Sequence, residues 1–182
     1  MIYIVTGLMR TGTSLMMQIL RKAGIPPHYS EAYEARGMKG RLRNKAFLEA
    51  KECIRGDISK VPDGACVKVF LNALEHVDLD PSKHKVLAMW RPWEDRFRSM
   101  RHKLNKREWE AYQQKCTHAN REVEIGYERL CTRFPAHLVV KFNSLFDDTT
   151  ATLAEVAQYT GLPAINECRS VIEQSERHFN NG

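Results

Sequence analysis

The stretch from Ile2 to Leu20, IYIVTGLMRTGTSLMMQIL, constrains the fold more than any other part of the chain. Ile2, Ile4 and Val5 are strand formers in a short apolar run. Gly7 and Gly12 bracket four residues and allow a tight backbone turn. Leu15, Met16, Ile19 and Leu20 then recur with helical spacing, with Thr13 and Ser14 placed to cap the helix. Strand, glycine-bounded loop and helix in that order leave the helix N–H groups pointing back into the loop. Dipole and donors there both favour a phosphate or sulfate.

The spacing nearly matches the nucleotide-phosphate loop G-x-x-x-x-G-K-[ST], but Thr13 stands where that loop has Lys. A cation is present inside the loop instead, at Arg10. A chain of this kind is expected to hold phosphate in a backbone cradle and to do different chemistry there.

The rest of the chain supports an α/β reading. Gly24 ends the first helix and Pro26-Pro27 blocks its resumption. His28 to Arg43 is polar, contains Gly37 and Gly40, and reads as a long loop or lid; Asn44 to Ile54 reads as a surface helix. Strands are expected at Ala65–Leu71, Lys85–Trp90 and His137–Phe142, and helices at Trp93–Leu104, Thr149–Thr160 and Glu167–Phe179. Asn105 to Phe134 is a long, charged, largely helical stretch, where Trp109, Tyr112 and His118 read as packing or surface residues. Strands alternating with helices predict βαβ units and a parallel sheet roughly four or five strands wide, in one domain spanning residues 1–182.

Two charged positions stand out in this frame. Lys68 interrupts an apolar strand, where a cation is costly unless it meets solvent or an anion. Arg91 ends the third strand, with Ser99 eight residues on in the following helix, and strand carboxyl ends are where open α/β sheets bind ligands.

Arg10-Thr-Gly-Thr-Ser14 resembles the R-S-G-T-[ST] loop of the sulfotransferases, which grips the 5′-phosphosulfate of PAPS (3′-phosphoadenosine 5′-phosphosulfate). The segment Arg91 to Ser99, RPWEDRFRS, resembles the family's R-[ND]-P-x-[DE]-x-x-x-S segment for the 3′-phosphate, with one residue missing between Arg and Pro. His137 to Leu162 is similar to the family's strand, polar turn and helix ending in Gly-Leu. The resemblance implies a three-layer α/β sandwich of the P-loop NTPase-like sulfotransferase fold, in a small soluble member of bacterial or phage type. It implies sulfuryl transfer from PAPS to a hydroxyl or amine of a small-molecule, glycan or peptide acceptor, leaving PAP (3′-phosphoadenosine 5′-phosphate), with no metal. Arg10, Thr11, Gly12, Thr13, Ser14, Arg91 and Ser99 would bind the donor, with Arg10 and Lys68 balancing charge at the transferred group.

Two departures go with the match. Cytosolic members carry K-x-H on a strand; Lys68 fits the Lys, but Phe70 occupies the His position. The tyrosylprotein branch instead uses a Glu just after the first helix, where this chain has Glu31, with Glu34 one helical turn later. The R-K-G element that grips the 3′-phosphate in cytosolic members is missing from the C-terminal part. A small-molecule or nucleotide kinase and a non-catalytic nucleotide-binding protein are the alternatives to the transferase. Thr13 in the Lys position argues against the kinase.

The net charge of +6 and pI near 9.1 suit an anionic ligand, and no nucleic-acid motif accompanies them. Five widely spaced cysteines and no C-x-x-C pair point to a reducing, cytoplasmic setting without zinc. The first apolar run breaks at Thr6-Gly7, too short for a signal segment or a membrane span, so no membrane partner is expected.

Overall fold

The computed structural model describes residues 1–28, 53–101, 104–110, 112, 126–130, 132–162 and 168–173. Among these residues, four strands form one sheet: β1 (Ile2–Gly7), β2 (Cys66–Phe70), β3 (His84–Trp90) and β4 (Leu138–Lys141). Their order is β2-β1-β3-β4 and all three pairings are parallel. The central strands β1 and β3 carry near-continuous apolar runs, as parallel strands covered on both faces require.

Alternation along β1 divides the core. Val5 faces one layer, built with α1 (Thr13–Lys22), the short α3 (Ser144–Asp147), α4 (Thr149–Thr160) and residues 168–173. Ile4 faces the other, built with the 3-10 turns Cys53–Arg55 and Leu71–His76 and with Leu130 and Phe134. Helical or 3-10 layers on both faces of a small parallel sheet make an α/β sandwich. Between β3 and β4, α2 (Trp93–Arg101) leads away from the strand ends. Trp109 and Tyr112 pack with Phe97 of α2, with the Phe97 and Trp109 ring centroids 4.5 Å apart.

Several boundaries differ from expectation. The helix after β3 is described over Trp93–Arg101, the Leu104 N–H donates to the Met100 carbonyl at 3.1 Å, and a second helical segment follows Asn105. There the Asn105 side chain accepts from the Glu108 N–H and the Glu108 carboxylate accepts from the Asn105 N–H, a reciprocal cap that separates the two helices. The expected turn at Asn143–Asp148 contains the helical turn α3. Leu71 leaves the second strand for the 3-10 turn. No helix among the described residues is long and apolar enough to cross a membrane.

Candidate functional site

The loop between β1 and α1 is built on two glycines. Gly12 caps α1 at φ 92°, so the capping position is Gly12 and not Thr13 or Ser14, which are the first two helical residues. A side chain at Gly12 would meet the Phe142 ring, with a Cβ only 2.2 Å from Phe142 Cδ2. At Gly7 a Cβ would lie 2.5 Å from Thr11 Oγ1 and 2.8 Å from the Met89 carbonyl oxygen. The loop therefore lies tight against both β3 and the residue that follows β4. Thr11 is buried, and its hydroxyl donates to the Leu8 carbonyl at 2.8 Å, closing the loop from within.

Arg10 sits at φ 68°, the one non-glycine in the left-handed region among the described residues. This conformation costs an L-residue on the order of 1–2 kcal/mol. From this backbone the side chain reaches α2, where Arg10 Nε donates to Ser99 Oγ at 2.9 Å. Arg91, at the carboxyl end of β3, reaches the same place and donates through Nη1 to the Arg10 carbonyl at 3.4 Å. Its guanidinium lies over the Phe142 ring, 4.3 Å from the centroid. The structure thus brings Arg10, Gly12, Arg91 and Ser99 together from two sequence segments, beside Thr13 and Ser14 at the start of α1.

Electrostatics at this junction favour an anion. Burial pushes the Arg10 guanidinium below its usual value. Burial does the same to Arg91, Asp95 opposes it, and the positive charges of Arg10 and Arg96 reinforce it. The first turn of α1 has no acidic residue, while Arg21 and Lys22 occupy its last turn. The positive end of the helix dipole therefore adds to the clustered guanidiniums.

Lys68 lies on β2, paired in register with Val5, two residues before the Gly7–Phe70 pair at the loop's entry. It is an edge-strand residue of this sheet, yet only 7% exposed, and its ammonium stands 6.0 Å from the centroid of the Phe70 ring. Glu31 and Glu34, expected to supply a base, lie outside the described residues.

Three contributors escaped the sequence reading. Arg96 is 5% exposed on α2; its Nε donates to the Met9 carbonyl at 3.1 Å, and its guanidinium lies 5.5 Å from the Trp93 ring centroid. A buried arginine on a loop carbonyl fixes which way that peptide faces. Phe142 braces both Gly12 and Arg91. The RPWEDRFRS run marked Arg96 only as one charge among several. Tyr127 also enters from the second layer and donates to the Met89 carbonyl, and its burial raises the phenol well above the usual range.

A cleft of about 580 Å³ opens beside the loop, at the carboxyl ends of β1 and β2. It meets the loop at Gly7, Leu8 and Met9, and its walls do not include Arg10, Arg91 or Ser99. The loop thus has a guanidinium-rich side towards α2 and a cleft side towards β2. No family model matches this chain, and no curated protein matches it.

Proposed function

We propose that the chain is a PAPS-dependent sulfotransferase of P-loop NTPase-like fold. The observation that carries this reading is the convergence of Arg10, Ser99 and Arg91: a strained loop arginine bonded to a helix hydroxyl, with a second arginine on its carbonyl. A nucleotide with a 5′-phosphosulfate and a 3′-phosphate needs two anion sites close together. The loop with the start of α1 supplies one, and Arg91 with Ser99 the other. A guanidinium fork and a hydroxyl suit a phosphate dianion.

In the reaction, the bond from sulfur to the bridging oxygen breaks while sulfur bonds the acceptor oxygen or nitrogen, leaving PAP. The acceptor's proton passes to a base. On this reading Arg10 and Lys68 hold the negative charge that builds on the leaving side, and fixed cations serve where a kinase would use Lys and a metal ion. Thr13, in the position of the kinase lysine, is buried at the start of α1 and brings no charge to the loop.

Calorimetry with PAP and ATP tests the proposal. A charged hydrogen-bonded contact to the 3′-phosphate contributes about 2 kcal/mol, so PAP is expected to bind roughly thirtyfold tighter than ATP. Equal affinity for the two nucleotides overturns the reading.

A further inference from the structure

The cleft beside the loop has a chemical character of its own. Its volume, about 580 Å³, is that of a small-molecule site. Leu8, Phe70, Leu71, Leu74, Leu79 and Leu130 give it apolar walls. Leu71, Leu74 and Leu130 are buried, so these walls are part of the core and are fixed in place. Among the described lining residues the charges are unbalanced: Arg129 and Arg133 stand against Glu75. Arg129 Nη1 pairs with the Glu75 carboxylate at 3.4 Å. Arg133 Nη1 instead donates to the Glu75 main-chain carbonyl at 2.9 Å, a neutral partner that leaves the guanidinium charge in place. Both arginines are exposed, so a bound group reaches them without displacing core side chains.

We propose that this cleft binds an apolar small molecule bearing an anionic group, with the apolar body against the leucine walls and the anion on Arg133 and Arg129. Resting on the sulfotransferase reading, this molecule is the acceptor: the same cleft that holds it is bounded by Gly7, Leu8 and Met9 of the anion loop. A neutral apolar compound fills the walls but leaves the excess positive charge unmet. A cationic compound meets repulsion there. Charge complementarity thus selects the acid.

The test compares three phenols of similar shape by calorimetry, without nucleotide: 3-(4-hydroxyphenyl)propionate, neutral 4-propylphenol and cationic tyramine. The propionate is expected to bind about tenfold tighter than 4-propylphenol, with tyramine weakest. The double variant Arg129→Gln/Arg133→Gln is expected to erase that order, and Glu75→Gln to widen it. Equal binding of propionate and 4-propylphenol, or a preference that survives the double variant, overturns the proposal. PAP affinity, measured on the same variants, is expected to stay unchanged. A protein that binds the propionate in this arginine-dependent way but not PAP retains the cleft assignment and loses the transferase reading.

Discussion

Arg10 Nε and Ser99 Oγ meet at 2.9 Å across 89 positions of chain, and this contact ties the loop between β1 and α1 to the helix that follows β3. Each residue is half-buried, one in a tight turn and one on a helix. Joined, and with Arg91 on the Arg10 carbonyl, they define one positively charged corner beside the start of α1.

The left-handed backbone at Arg10 separates side-chain function from backbone strain. Arg10→Ala removes the guanidinium and keeps the strain, whereas Arg10→Gly removes both. Both variants are expected to lose PAP affinity alike. Arg10→Gly is expected to melt about 2–4 °C above Arg10→Ala, as roughly 1 kcal/mol implies for a chain of this size. Thermal unfolding with parallel calorimetry checks both. Equal melting temperatures would show that the loop relaxes at this position.

Gly12→Ala places a methyl group into the Phe142 ring at a backbone angle unsuited to L-residues. Overpacking and strain together are expected to cost about 2–4 kcal/mol in urea unfolding. Adding Phe142→Ala removes the clash but not the strain. The pair is therefore expected to lose less than the sum of the two single changes.

Arg96 is a positioning residue: it touches the loop through the Met9 carbonyl. Arg96→Met leaves that carbonyl without its donor and is expected to weaken PAP binding about tenfold at a temperature well below melting. Arg96→Lys keeps a charge and a donor but not the planar fork over Trp93, and is expected to fall between the two. A variant that loses stability while binding PAP normally would reduce Arg96 to a core residue.

His84 links pH to stability far from the loop. It opens β3, is buried, and its Nδ1 accepts the Asp80 N–H at 2.9 Å, which requires that nitrogen to be unprotonated. Burial lowers its pKa, Asp80 opposes the shift and Lys83 adds to it. The folded chain therefore binds this proton more weakly than the unfolded chain. Its contribution is complete above the unfolded value, near 6.5, and is lost as pH falls through the lower folded value. Urea midpoints at pH 8 and pH 5 are expected to differ for the natural chain. The His84→Asn variant, whose amide oxygen still accepts from Asp80, is expected to lose that share of the difference.

The fold was legible where local pattern and tertiary role coincide. Val5, Gly7 and Leu15 announce strand, turn and helix by periodicity and conformation alone, and the parallel sheet follows from their repetition. Lys68 and Arg91 stood out because a charge inside a strand, or at its end, conflicts with burial. Arg96 did not, because it lies in a helix with four other charged residues, and nothing local distinguishes a buried guanidinium from a solvated one. Phe142 read as the end of a strand; its role depends on Gly12, 130 positions earlier in the sequence. The cleft was invisible because it is assembled from Leu8, Leu71 and Leu130, each an unremarked apolar position in its own segment.

The ring of Phe142 also sets an order of events during synthesis. Residues 7–14 leave the ribosome early and carry every backbone group of the loop between β1 and α1. The surface against which Gly12 rests arrives only with the residue after β4, the last strand among the described residues. A nascent chain stalled before residue 142 would contain the whole segment without the ring against which Gly12 rests, so the packing of this loop is complete only once β4 has been made.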